Sequence, residues 1–115
     1  NGEGHMGSRK KWYAEAIIEY LENGGADGIG CATSHQLREM LFRKGRRTMP
    51  RVGAISQTLR GLFNEQGEKL ATQVGFTKIA RGESRVRGYN VAVWSLIENP
   101  HIEKAMLKYG KNKAE

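Results

Sequence analysis

The sequence has only one cysteine, Cys31, and no apolar run long enough to cross a membrane. A single cysteine cannot form an intrachain disulfide, which favours a reducing compartment. A membrane-spanning helix needs about 20 apolar residues, and no apolar core of a signal peptide is visible either. We therefore expect no membrane partner.

Metal ligands are also scarce. Cys31 and His35 are four residues apart and could share one face of a helix, but two ligands are too few for a structural zinc site. The other histidines, His5 and His101, are remote in sequence. We expect a small buried thiol, a surface histidine and no cofactor.

The sequence lacks the patterns expected of an enzyme. The glycine-rich stretch 24–30 follows a helical pattern, has no strand before it and lacks the GK[ST] ending, so neither a dinucleotide loop nor a P-loop is indicated. Acidic residues are sparse outside the first helix. We expect no catalytic activity.

What the sequence has is clustered positive charge, within a formal net charge of +7. The segment from Arg43 to Arg60 contains six basic residues and no acidic one, and the segment from Lys78 to Gly88 contains four against Glu83 alone. Clustered charge of one sign indicates a polyanionic partner, most often nucleic acid. The alternative is a solvated basic face without a partner.

A chain of 115 residues fits one domain with one modest core. Residues 1–7 resemble the remnant of an expression tag and are set aside as disordered, and residues 111–115 are expected to fray. The folded domain is assigned to 8–97, followed by a C-terminal helix within 98–110.

Three helices are predicted in the first half. The first runs from Ser8 to Asn23, and a loop with room for a very short strand at 29–32 follows it. The second begins at Thr33, where Thr33 and Gln36 have the spacing of a capping box. The third runs from about Pro50 to Glu65, and its apolar stripe consists of Val52, Ile55, Leu59, Leu62 and Phe63.

The third helix has an unusual composition. Gly53 and Gly61 each cost about 1 kcal/mol relative to alanine in a helix interior, and Arg51 places positive charge where the helix dipole disfavours it. At about 100° per residue, both glycines fall with Gln57 and Arg60 on the face opposite the apolar stripe. The glycines permit either close approach of a ligand or close packing against the second or the C-terminal helix.

The second half changes period. An extended segment from Ala71 to Arg81, a basic tip at 82–88 and a β-prone run from Tyr89 to Leu96 predict a hairpin. A last amphipathic helix is expected from His101 to Tyr109. Its apolar side could pair with a second copy in a two-fold homodimer, or fold back onto the first helix. Five aromatic residues are interpreted as core rather than as a base-stacking surface: Trp12, Tyr13, Phe63, Phe76 and Trp94. Tyr89, next to the basic tip, is the exception.

This order of elements resembles the winged-helix family of DNA-binding domains over Ser8 to Leu96. The most recognisable stretch is MPRVGAISQTLRGL at 49–62, in which Ile55-Ser56-x-x-Leu59-x-x-Leu62 is similar to the recognition helices of such regulators. The resemblance implies an α+β fold: a three-helix helix-turn-helix core, then a two-stranded β-hairpin wing, with an extra C-terminal helix. One departure is the stretch 43–52, which is longer than a tight helix-turn-helix connection.

In this family the third helix enters the major groove and the wing contacts the backbone or the minor groove. Gln57 would then read a base edge, Arg60 a guanine or a phosphate, and the basic turn and Arg51 phosphates. Arg85 and Arg87 are candidates for the minor groove. The resemblance assigns DNA contacts to Arg43, Lys44, Arg46, Arg47, Arg51, Gly53, Ser56, Gln57, Thr58, Arg60, Lys78, Arg81, Arg85 and Arg87.

The expected function is double-stranded DNA binding as a transcriptional regulator, cytoplasmic and nucleoid-associated if the source is prokaryotic or viral. The alternative is a low-specificity architectural, replication or recombination accessory protein. A winged helix that binds only protein would be expected to lack the charge on the third helix and the wing.

Overall fold

The computed structural model describes residues 2–44, 50–79 and 89–111. The fold class within these ranges is α+β, as expected. Four helices and three strands follow one another: α1 (Gly2–Glu22), β1 (Cys31–Thr33), α2 (Ser34–Arg43), α3 (Val52–Arg60), β2 (Ala71–Ile79), β3 (Tyr89–Leu96) and α4 (Ile102–Tyr109). None of these helices combines the length and the apolar character needed to cross a membrane.

The start of α2 confirms the predicted capping box. The Gln36 backbone N–H donates to Thr33 Oγ1 at 3.1 Å, and the Thr33 N–H donates to Gln36 Oε1 at 2.9 Å. The two bonds satisfy donors that a helix N-terminus otherwise leaves unpaired. Helix α1 begins at Gly2, six residues before the expected start at Ser8.

The sheet has three antiparallel strands where a two-stranded hairpin was expected. Its order is β1-β3-β2, and Ala32 of β1 lies opposite Trp94 of β3. The hairpin itself is confirmed, since Ile79 pairs with Tyr89 and Ala71 with Leu96. Strand β3 exposes backbone groups on both sides, and β1 occupies the side that β2 leaves open.

Helix α3 is shorter than predicted, because Gly61 is its C-cap. The Gly61 N–H still bonds to the Gln57 carbonyl at 3.0 Å, but Phe63 then bridges to Lys69 in extended geometry. Beyond Gly61 the helical phase no longer applies. Phe63 is therefore 51% exposed, and its expected place in the core is wrong.

The main core lies between α1, α2, α3 and the sheet. Apolar side chains of the helices supply it: Ile17 and Leu21 of α1 and Leu37 and Leu41 of α2 are at most 3% exposed. Trp94 of β3 and Leu62 close it, and Trp12 and Tyr13 pack on its edge. Burying such side chains stabilises the fold by about 1.5–3 kcal/mol each.

A second, smaller core lies beneath α4. Ala105 and Tyr109 of α4 pack against Cys31, Val74 and Val93 of the three strands. The C-terminal helix therefore lies on its own sheet, so the alternative in which it folds back onto α1 is wrong. The small buried thiol predicted at Cys31 is confirmed, with 1% of that residue exposed.

Asp27 ties this second core to the loop before β1. Its Oδ1 accepts the backbone N–H groups of Ile29 and Cys31, each at 3.0 Å, and its Oδ2 accepts the Tyr109 hydroxyl at 2.6 Å. Burial and the nearby Asp27 carboxylate raise the pKa of the Cys31 thiol from 9.0 to about 12. Burial and Asp27 also raise the pKa of Tyr109.

These shifts predict a loss of stability in alkali. Above pH 9 the unfolded chain releases the Cys31 proton while the folded chain retains it, so stability falls as pH rises, and Tyr109 adds to the fall above pH 10. We expect a loss of about 1 kcal/mol between pH 8 and pH 10 in urea unfolding under reducing conditions. In Cys31→Ala the free energy of unfolding should fall less between pH 8 and pH 10. An unchanged fall in that variant would mean that other groups cause the pH dependence.

Candidate nucleic-acid interface

Helix α3 is held in place by its apolar stripe and by two polar contacts to α2. Ile55 and Leu59 are each 1% exposed in the main core. The Ser34 and Ser56 hydroxyls lie 2.7 Å apart, and Arg38 Nε donates to the Pro50 carbonyl oxygen at 2.9 Å. These contacts set the rotation of α3, so the opposite face is presented to solvent.

That opposite face is the one the sequence predicted. Gly53, Ala54, Gln57, Arg60 and Gly61 are all exposed. A Cβ atom added at Gly53 would meet no atom of the described residues within 4 Å, and at Gly61 it would meet only carbonyl oxygens of its own helix. Packing against another described helix is therefore not the reason for these glycines. They leave a low-relief surface, over which a flat partner can approach the helix backbone.

Arg51 is the N-cap of α3 rather than a first-turn residue. Its backbone has the extended geometry of an N-cap, but its side chain makes no capping hydrogen bond, and the first turn holds no acidic residue. The free N–H groups of a helix start and an exposed guanidinium both attract anions. The N-terminus of α3 thus combines two features that suit a phosphate.

Arg60 lies at the other end of the exposed face, against the sheet. Its guanidinium carbon is 5.9 Å from the centroid of the Trp94 ring, which is itself buried. Such cation–π contacts stabilise by about 0.5–1 kcal/mol at exposed sites and restrict the direction of the guanidinium. The contact orients Arg60 without neutralising its charge.

A crevice of about 190 Å³ separates α3 from β2 and β3 beside this contact. His35 is half-buried there, so the expectation of a surface histidine is wrong. The crevice places α3 and the hairpin side by side along one surface. It is lined by Ser34, His35, Val52, Ser56, Arg60, Gln73, Val91, Ala92 and Trp94.

The hydroxyls of Ser56 and Thr58, both predicted DNA contacts, make hydrogen bonds within the protein. Ser56 shares its hydrogen bond with Ser34, and either hydroxyl can be the donor. Thr58 Oγ1 donates to the Ala54 carbonyl oxygen at 3.0 Å. Thr58 would therefore have to give up this bond to donate to a phosphate, whereas Ser56 can donate to one when Ser34 donates to it.

The predicted basic contacts differ in their surroundings. Arg43 pairs with Glu39 at 3.2 Å and Lys44 with Glu19 at 3.9 Å, and both pairs are exposed and contribute little. Arg51, Arg60 and Lys78 have no acidic group within 4.0 Å among the described residues. These three charges are available to an anion without first breaking an ion pair.

The remaining predicted contacts, Arg46, Arg47, Arg81, Arg85 and Arg87, lie outside the described residues. Three contributors to the site were not predicted from the sequence. Trp94 supports Arg60, Arg38 anchors the chain before α3, and Gln73 is an exposed amide lining the crevice. All three depend on contacts between residues far apart along the chain, which local periodicity does not encode.

Over the ranges that the structure describes, no three residues of metal-binding type cluster closely enough to hold an ion. A scan against protein-family models finds no match, and neither curated proteins nor solved structures yield one.

Proposed function

We propose that this chain is a winged-helix protein that binds double-stranded DNA sequence-specifically, as a transcriptional regulator. One observation carries the proposal. The face of α3 that points away from the core holds two glycines, a long amide and Arg60, and Arg51 lies at the N-terminus of the same helix. Among the described residues, neither arginine has an acidic group within 4.0 Å. Such a surface suits a polyanion whose base edges must come close to the helix.

The order of elements supports the winged-helix arrangement. The short strand β1 lies between α1 and α2, where the sequence left room for one, and it joins the hairpin as the third strand of the sheet. A major groove about 12 Å wide accepts a helix such as α3, while β2 and β3 would lie along the flanking backbone. In this arrangement Lys78, which is exposed near the end of β2, would contact a backbone phosphate.

Within this proposal, the described residues have distinct roles. Arg51 and Lys78 neutralise phosphates, and such contacts set position but read no sequence. Gln57 is exposed at the middle of the face and is the residue suited to a bidentate contact with adenine. Arg60, held over Trp94, contacts a guanine or a phosphate.

The first measurement is fluorescence anisotropy with a random-sequence duplex and a single strand of equal length, across a salt series. Each neutralised phosphate contributes about 0.9 to the salt slope, so Arg51, Arg60 and Lys78 alone predict a slope of about −2.7. We expect tighter, salt-sensitive binding to the duplex. A protein that binds neither the duplex nor the single strand at low salt would refute DNA binding.

Site selection then separates the regulator from the low-specificity alternative. A sequence-specific binder prefers its selected site over random duplex by about 10³-fold or more. An architectural or accessory protein would show a ratio near one. Cytoplasmic, nucleoid-associated localisation follows from the same proposal for a prokaryotic or viral source.

Gln57→Ala should relax base preference without changing electrostatics. We expect a loss of about 1–3 kcal/mol of discrimination at one base pair, with an unchanged salt slope. Gln66→Ala is the matched control, because Gln66 is exposed in the loop before β2. Arg85→Ala, by contrast, should weaken binding to all sequences and make the slope shallower by about one. If both variants weaken all sequences equally, the role assigned to Gln57 is wrong.

The proposal includes self-association through the C-terminal helix, but through only one face of that helix. Ala105 and Tyr109 are already buried against the sheet of the same chain. Only the outward face of α4 is available to a second copy.

A further inference from the structure

An apolar groove of about 500 Å³ lies between the end of α1, the loop before β2 and the end of β3. Its apolar walls are formed by Ile18, Leu21, Leu70, Leu96 and Ile97. Three exposed carboxylates, of Glu22, Glu68 and Glu98, line it against the single positive charge of Lys69. In a chain of net charge +7, this acidic groove is a local exception.

The outward face of α4 has the complementary character. Leu107 is 78% exposed, the most exposed of the large apolar side chains in the described ranges. At about 100° per residue it lies opposite Ala105 and Tyr109, with Lys104 about 60° and Lys108 about 100° away from it. Met106 flanks this face at 46% exposure, and Glu103 is the single acid near it.

We propose that the groove accepts the outward face of α4 from a second copy of the chain. Leu107 enters between Leu70 and Ile97, and the lysines of α4 meet the glutamates around the groove. Because Ala105 and Tyr109 hold α4 on its own sheet, Leu107 points away from its own chain and cannot fill its own groove. The occupant therefore comes from another copy.

The two surfaces are different, so the contact is head-to-tail. Heterologous contacts of this kind build rings or open chains, whereas a pairing of α4 with α4 would close as a two-fold dimer. Helix α4 has eight residues and is about 12 Å long, so the interface is small and belongs to the weak class. The contact forms without DNA, and copies bound side by side on one duplex would strengthen it by raising the effective concentration.

The test is sedimentation velocity without DNA at low salt, from about 10 µM to about 1 mM protein, a range suited to weak contacts. Two surface variants each remove one half of the contact: Ile97→Asp in the groove and Leu107→Asp on α4. Phe42→Asp is the matched control, since Phe42 is exposed on α2 at 64% and belongs to neither surface. Lys104→Glu is a second α4 variant that leaves the apolar surface intact.

We expect the average mass of the wild type and of Phe42→Asp to rise with concentration. Ile97→Asp and Leu107→Asp should each remain monomeric when alone, and Lys104→Glu should associate more weakly than the wild type. An equimolar mixture of Ile97→Asp and Leu107→Asp should form a 1:1 species that grows no further. A wild type that stays monomeric would overturn the proposal. So would association of Ile97→Asp alone, which indicates an α4–α4 pair, or loss of association in Phe42→Asp. Since no DNA is present, none of these results depends on the proposed function.

Discussion

Gly75→Ala is expected to destabilise the fold by about 2–4 kcal/mol, because among the described glycines an added Cβ would make its closest contact here. Gly75 has φ +151° on β2, a conformation that L-amino acids rarely adopt. A Cβ atom at this position would also overlap the backbone carbonyl group of Tyr109 at the end of α4. The backbone strain and the steric overlap act together, and α4 has to move away from the sheet to relieve the overlap.

The measurement is urea unfolding, combined with hydrogen exchange of the α4 amides. We expect a lower unfolding midpoint and faster exchange across Ile102–Tyr109. Gly53→Ala is the matched control, because the surroundings of Gly53 are open and its φ is not positive. That change should stabilise α3 by about 0.5–1 kcal/mol. A Gly75→Ala protein as stable as the wild type would show that α4 does not dock as described.

Arg51→Asp is expected to change stability and DNA binding in opposite directions. Arg51 already has the backbone geometry of an N-cap but supplies no side-chain acceptor. Aspartate would accept an N–H of the first turn and place negative charge at the positive end of the helix dipole, which together stabilise by about 1–2 kcal/mol. Duplex affinity should fall on the order of 100-fold, because a phosphate contact becomes a repulsion.

Two further variants separate the cap from the charge. Arg51→Asn provides a cap without negative charge, so we expect similar stabilisation with only about a tenfold loss of affinity and a salt slope shallower by about 0.9. Arg51→Ala should lose the same phosphate contact without gaining a cap. Thermal unfolding and anisotropy on the same samples measure both quantities. Unchanged affinity in all three variants would remove Arg51 from the interface.

Gly53 and Arg51 together give a physical reason for the weak composition of α3. Each makes the helix less stable than alanine or aspartate would, and the described structure offers no packing contact in return. A ligand that carries negative charge and approaches the helix backbone would benefit from both residues. Under the proposed function, the stability lost at these two positions is a trade-off between binding and folding.

Features governed by nearby residues were predicted from the sequence. The capping box of Thr33 and Gln36 depends on a spacing of three residues, and the hairpin of β2 and β3 on two β-prone runs separated by a glycine-bounded tip. The face of α3 that carries Gln57 and Arg60 follows from helical periodicity alone. Local steric and hydrogen-bonding preferences are enough for each of these.

Features governed by distant residues were decided by the tertiary structure. The pairing of β1 with β3 joins residues far apart in the chain, and the register shift between Gln73 and Gly75 interrupts the alternation of β2. Phe63 is exposed because α3 stops at Gly61, and helical periodicity in the sequence could not reveal where the helix ends. The position of α4 depends on the hydrogen bond from the Tyr109 hydroxyl to the Asp27 carboxylate, two residues that only the folded chain brings together.

By itself the sequence determined the helical faces, the hairpin and the clustering of charge, because those follow from neighbours along the chain. Only folding decided what α4 covers, which charges remain unpaired and where the acidic groove lies, because these depend on side chains that meet across the domain.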